Sequence, residues 1–150
     1  MIIYQTIDVK FCLPRKREHS KWIKDVILSL LHKQKCYNPG PVSIVFCSDS
    51  YILSINNQYL KHNYYTDIIT FDYSENGVLS GDLLVSIDTI KHNCSRYNTT
   101  FNDELHRVII HGILHLAGFK DDTPENISEM RKMEEQALSL RNQLLINLYD

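Results

Sequence analysis

The sequence lacks any closely spaced cysteine pair. Its four cysteines, Cys12, Cys36, Cys47 and Cys94, stand apart, and reduced thiols in a cytosolic protein are the expectation. Glycine and proline are scarce, at five and four residues, which excludes a collagen-like chain and a Pro/Gly-rich linker. No apolar run approaches the roughly 20 residues that span a bilayer. Met1–Asp8 carries no basic leader followed by a long apolar segment, so no secretory signal is expected. No internal repeat is visible. What remains is a globular balance of 43% hydrophobic and 23% charged residues. The 150 residues set the expectation of one domain over 1–150. A domain of that size buries roughly 68–70% of its unfolded surface and needs no disulfide or structural metal merely to fold.

The net charge of −2 conceals an asymmetry. Residues 1–35 hold eight Lys/Arg against Asp8, Glu18 and Asp25, whereas the remainder is acidic. A basic block attracts an anionic polymer, but a solvated helix face has the same composition. Trp22, Ile23, Val26, Ile27, Leu30 and Leu31 recur at helical spacing and predict an amphipathic helix over about 18–35, with Lys21, Lys24 and Lys33 on its other face. Asn38-Pro39-Gly40-Pro41 is expected to end it and turn the chain. Strands are expected at Ile2–Tyr4, Val42–Cys47, Ile68–Phe71 and Leu83–Ile87, with a turn at Asn76-Gly77. Further helices are expected after Ser48, near Thr89, from Thr100 to a stop at Gly118, and from Thr123-Pro124 through Met130, Met133, Ala137, Leu140 and Leu144. The architecture so predicted is α+β, with a small mixed four-stranded sheet covered by about five helices.

Most of the seven histidines have unremarked surroundings; His19, His32, His62 and His92 sit in polar or loop-like contexts. His111 and His115 differ. Four residues apart on an apolar helix, they share one face and can reach one cation. Gly118 follows His115 by three residues, where a left-handed turn reverses the chain, and Asp121 follows by six, where a carboxylate can return. This is the ligand spacing of the metzincin motif with Asp in the last place. Two imidazoles and one carboxylate leave a coordination position open, the catalytic pattern. A zincin peptidase would carry Glu directly after the first His as general base; here that residue is Gly112. A peptidase lacking its usual Glu, a non-haem iron oxygenase and a non-catalytic protein in which the metal serves structure are the competing readings.

The run His111-Gly112-Ile113-Leu114-His115-Leu116-Ala117-Gly118 resembles the metal motif of the YbeY family, bacterial endoribonucleases of ribosomal RNA maturation. The similarity extends upstream through Asn57-Gln58-Tyr59, Thr66-Asp67-Ile68-Ile69-Thr70-Phe71 and Gly81-Asp82-Leu83-Leu84-Val85-Ser86. The resemblance implies a zincin-like α+β fold, one zinc ion per chain, and hydrolysis of phosphodiesters in single-stranded RNA. It further implies maturation of the small-subunit ribosomal RNA 3′ end and ribosome quality control in the cytoplasm, with ribosomal or ribosome-associated proteins as further partners. By position, His111 and His115 are the implied first zinc ligands, and Asp121 replaces the family's usual third His. Leu60 stands where the family commonly has Arg, so Lys61 or His62 is expected to supply the positive charge, with Lys61 assigned as the phosphate contact. Asp67 and Glu104 are the candidate general bases, provided the fold brings them to the metal.

Overall fold

Short β-branched runs become strands and the longer 3.6-periodic segments become the helices that cover them. In the computed structural model, residues 1–31, 37–60 and 66–149 are described. The order is β1 (Ile2–Ile7), α1 (Lys16–Val26, continued by a π-turn at Ile27–Leu31), β2 (Asn38–Cys47), α2 (Asp49–Leu60), β3 (Ile68–Asp72) and β4 (Val78–Ser86). Then follow α3 (Ile87–Arg96), α4 (Phe101–Leu116), α5 (Pro124–Ser139) and the one-turn α6 (Gln143–Ile146). The sheet order is β1-β2-β4-β3. β1 and β4 run parallel to β2, and β3 runs antiparallel to β4 along the sheet edge. The mixed sheet matches the α+β expectation, with α6 as one helix more than expected.

Alternation along β2 sends its side chains to two cores. Ile44 and Phe46 join the main cluster with Trp22 of α1, Ile109 and Ile113 of α4, and Met130 and Met133 of α5. Val45 and Cys47 face the other way, against Ile52 of α2 with Ile69 and Leu84. Gly81 marks how tightly α4 and β3 close on β4: a Cβ there would meet the Phe71 carbonyl oxygen and lie 2.6 Å from Leu116 Cδ2.

Several boundaries depart from the sequence reading. Asn38–Pro41 does not turn the chain but opens β2, pairing with Val78 and Leu79 across a register irregularity between Pro39 and Val42. Proline is tolerated there because an irregular ladder does not require its missing N–H. The extension of the first helix to Lys35 falls on residues 32–36, outside the described residues. Ile87 opens α3 rather than ending β4, because the Ser86 side chain accepts from Thr89 N–H and caps the helix. The last apolar stripe is interrupted in the same way. α5 stops at Ser139, Asn142 caps α6 by accepting from Leu145 N–H, and Leu140 and Leu144 are exposed.

His19 is a further correction. It is fully buried, not set in a polar loop, and lies against His106 and Trp22. Arg141 Nη1 lies 2.9 Å from His106 Nδ1. Because guanidinium only donates, that nitrogen accepts and the proton sits on Nε2. Nε2–H then donates to His19 Nε2 at 3.0 Å, and His19 Nδ1–H donates to the Arg15 carbonyl at 2.9 Å. Every ring nitrogen is satisfied with both imidazoles neutral. Burial holds both rings below the ordinary histidine range, and neighbouring His19 and Arg141 help push His106 down to about 2.

The sign of the consequence follows from linkage. Unfolded His106 takes up a proton near pH 6.5 and folded His106 does not, so stability is full above pH 6.5 and falls as pH drops below it. Between pH 7 and 5 we expect a loss of about 2 kcal/mol from this residue. Urea titrations at both pH values, on the parent and on His106→Gln, measure the difference; equal pH slopes would refute it.

Candidate metal centre

α4 buries ten of its sixteen residues. His111 and His115 occupy the face left open, each with about a quarter of its side chain exposed. One turn apart, their rings meet edge to face with centroids 4.5 Å apart. The helix then ends in a Schellman turn. Gly118 adopts φ 92°, its N–H bonds the His115 carbonyl, and Phe119 N–H bonds the Leu114 carbonyl. That turn also sets the chemistry of His115, whose Nδ1–H donates to the Phe119 carbonyl at 3.0 Å.

His111 is fixed from α5. Its Nδ1–H donates to Glu134 Oε2 at 2.7 Å. With both Nδ1 protons committed, both Nε2 atoms present lone pairs, and they lie 2.9 Å apart. The Asp121 Oδ2 atom joins them at 3.2 Å from His111 and 3.5 Å from His115. Three acceptors therefore converge on one point with no donor among them. They require a cation there: a proton at low pH, a divalent metal where one is present. The three separations bracket the ~3.3 Å edge of a tetrahedron built on bonds of about 2.0–2.1 Å, so the donor set fits a zinc-sized ion. Among the described residues this is the one His/Cys/Asp/Glu group with metal-holding geometry. The contrast with His19 and His106 is direct. That pair is complete with its own protons, and this one is not.

The adjacent carboxylate has another use. Asp122 Oδ1 accepts from Asn126 Nδ2 at 2.6 Å, and the α5 cap is the Thr123 hydroxyl. Asp121 performs neither task. Gly112 faces the sheet, where a Cβ would lie 2.6 Å from Ile68 Cδ1 and 3.0 Å from Leu83. A carboxylate at that position would enter the core, so the peptidase base is excluded by packing as well as by residue type.

Two cavities, of about 280 and 440 Å³, meet at the triad, and Asp67, His111 and Asp121 line both. Burial raises the Asp67 carboxyl pKa against the opposing pull of His111. Glu104 lines the smaller cavity and is likewise raised by burial, opposed by Arg107. Burial lowers the pKa of His111, but the hydrogen bond and charge of Glu134, with Asp121 and Asp67, outweigh it and leave a net rise. Lys61 and His62 lie outside the described residues. Neither cavity includes a residue of α1, so the basic face bearing Lys21 and Lys24 lies elsewhere.

Sequence reasoning missed Glu134 and Arg107. Glu134 is 5% exposed, and Arg107 bridges it at 3.2 Å and Glu135 at 2.8 Å. The signal was an acidic residue inside the Met130–Met133–Ala137 stripe, a charge on a face that packing should keep apolar. Glu134→Ala is expected to weaken zinc binding about 10–100-fold, because His111 loses the partner that fixes its tautomer. Glu134→Gln keeps an acceptor and should lose less. Zinc titration of both variants is the measurement, and an Ala variant of parental affinity would remove Glu134 from the site.

A profile of the family described as endoribonuclease YbeY matches residues 5–142. A Bacteroides thetaiotaomicron protein named endoribonuclease YbeY is 48% identical over 140 residues, covering 93% of this chain and 98% of its own. A Bacteroides fragilis protein of the same name is 47% identical over 142 residues, covering 95% and 99%. The solution structure of a Thermotoga maritima protein superposes with a TM-score of 0.59 at 27% identity, covering 93% of this chain and 90% of that one. With the profile spanning most of the chain and near-half identity over almost the full length of curated relatives, the chain belongs to the YbeY family.

Proposed function

We propose that this protein is a metal-dependent endoribonuclease that hydrolyses single-stranded RNA, with zinc held by His111, His115 and Asp121. Its work is maturation of the small-subunit ribosomal RNA 3′ end and ribosome quality control in the cytoplasm, with ribosomal or ribosome-associated proteins as partners. Family membership supports the activity. The observation that carries the site is the convergence of three lone-pair atoms, two imidazole and one carboxylate, with no donor between them. Held by His111, His115 and Asp121, zinc would supply Lewis acidity toward a phosphoryl oxygen and make water more acidic.

The protein's own groups prepare that chemistry. Glu134 and the Phe119 carbonyl hold the two Nδ1 protons and keep both Nε2 lone pairs aimed at one point. Of the two candidate bases, Asp67 is the better placed, since it stands in the wall common to both cavities while Glu104 lines only one. Its burial-raised carboxyl is poised closer to neutrality, which suits proton transfer.

The test pairs metal analysis of the purified protein with cleavage of matched single-stranded and duplex RNA. Cleavage of the single strand, lost to a chelator and restored by zinc, is expected. Binding without cutting across added zinc, manganese and magnesium would instead favour a non-catalytic RNA-binding module.

A further inference from the structure

The smaller cavity is the space between two matched helical rows. α4 contributes Glu104, Arg107, Val108 and His111, at spacings of zero, three, four and seven. α5 contributes Ile127, Met130, Arg131 and Glu134 at the same spacings. Each set is one face of a helix. Asp67 and Asp121 complete the walls beside His111.

The charges in this space are unequal in what they leave available. Arg107 is committed to Glu134 and Glu135, and that trio carries a net negative charge. Arg131 is exposed and forms no ion pair within 4 Å among the described residues. It lines the cavity together with Glu104 of α4. Arg131 also sits one helical turn before Glu134, the residue that holds His111. The larger cavity, on the other side of the triad, has no Lys or Arg among its described lining residues. Among the described residues, an anionic backbone threading past His111 therefore meets one cation that forms no ion pair, Arg131, and it meets it on the side of the smaller cavity.

We propose that the cavity between α4 and α5 is a phosphate subsite for RNA, with Arg131 contacting the phosphate that neighbours the scissile one. The larger cavity, walled by β3 and the end of α2, then receives the nucleotide on the opposite side. This assignment rests on the endoribonuclease reading above. A planar guanidinium suits it, since two N–H groups can bond two phosphoryl oxygens at once. Placement on α5 also couples the subsite to the metal. The same helix that presents Arg131 to the RNA presents Glu134 to His111, so bound RNA is held in register with the reacting centre.

The experiment measures cleavage of a short single-stranded oligoribonucleotide, and its binding in chelator, as a function of salt. Parent, Arg131→Ala, Arg131→Lys, Arg131→Glu and Lys132→Ala are compared, with zinc content and unfolding midpoint measured for each. Lys132 is the neighbouring exposed cation on α5 that does not line the cavity. Arg131→Ala should raise KM about tenfold with kcat little changed. The slope of log affinity against log salt should flatten by about 0.7, one single-strand phosphate contact. Lys should restore part of the loss, Glu should exceed it, and zinc content should stay parental. If Arg131→Ala keeps the parental KM and salt slope while the parent cuts RNA, the subsite is wrong and the endoribonuclease reading stands. Equal flattening by Lys132→Ala also overturns it, since general surface charge would then suffice. A parent that neither binds nor cuts RNA overturns both.

Discussion

His115→Ala is expected to abolish zinc binding and RNA cleavage together while leaving the fold in place. The Nε2 atom of His115 is one of three acceptors around the cation position. Two donors cannot enclose a zinc ion at its usual coordination number. Affinity should fall by more than the roughly 10–100-fold that loss of an outer partner costs. Several kcal/mol of transition-state stabilisation go with the metal, so cleavage should drop roughly a thousandfold or more. Folding is separable because His115 lies on the open face of α4 and, outside the triad itself, its hydrogen-bond partner is one carbonyl, that of Phe119. In chelator the variant should unfold within about 1 kcal/mol of the parent. With excess zinc the parent alone should gain stability, about 2.7 kcal/mol at a hundredfold excess over Kd. A variant that still gains stability from zinc and still cuts would show that His115 is not a ligand.

The triad was legible from sequence because its spacing is a property of one helix and one turn. His111 and His115 lie on the same face by helical periodicity, and Gly118 permits the positive φ that brings Asp121 back. Nothing in that reasoning needs long-range information. The four strands and the mixed sheet were legible for the same reason, since apolar runs and turn residues are local. Glu134 is different. Its role depends on α5 packing antiparallel against α4 with Glu134 level with His111, a tertiary fact that no local pattern states. The strand opening at Asn38-Pro39-Gly40-Pro41 was missed because its residues read as a turn, and only pairing with Val78 and Leu79 makes it a strand.

The two histidine pairs illustrate a sharper limit. His19 with His106, and His111 with His115, both bring Nε2 atoms to about 3 Å. Sequence distinguishes them by spacing, 87 residues against four. Chemistry distinguishes them by what the far nitrogens touch. Arg141 donates to one far nitrogen of the first pair, which forces a proton between the rings. Two acceptors, Glu134 and the Phe119 carbonyl, face the far nitrogens of the second, which withdraws it. A close imidazole pair becomes structural or metal-seeking according to partners contributed by other parts of the chain.

Asp121 is the one carboxylate of the triad, and replacing it has a measurable consequence. Asp121→Ala should reduce zinc occupancy and cleavage together, because Oδ2 is the third acceptor, 3.2 and 3.5 Å from the two Nε2 atoms. Asp122→Ala should leave both intact, since its carboxylate bonds Asn126 and points to no histidine. A helix-capping role for Asp121 predicts a stability loss of about 0.5–2 kcal/mol with zinc binding preserved. The Thr123 hydroxyl already caps α5, so that outcome is not expected. Asp121→His is the informative variant. A carboxylate ligand lowers the net charge of the metal and leaves a coordinated water less acidic than three neutral imidazoles would. If the imidazole reaches the position, zinc should be retained and the acid limb of the pH–rate profile should move to lower pH. Asp121 is nearly half exposed, so the larger ring has room on the solvent side of the turn. Retained zinc with an unmoved profile would mean that deprotonation of the bound water does not limit the rate. Loss of zinc in Asp122→Ala but not in Asp121→Ala would make Asp122, and not Asp121, the third ligand. Unfolding with and without zinc separates these cases, since removing a ligand erases the zinc-dependent increment while removing a cap lowers stability equally in both.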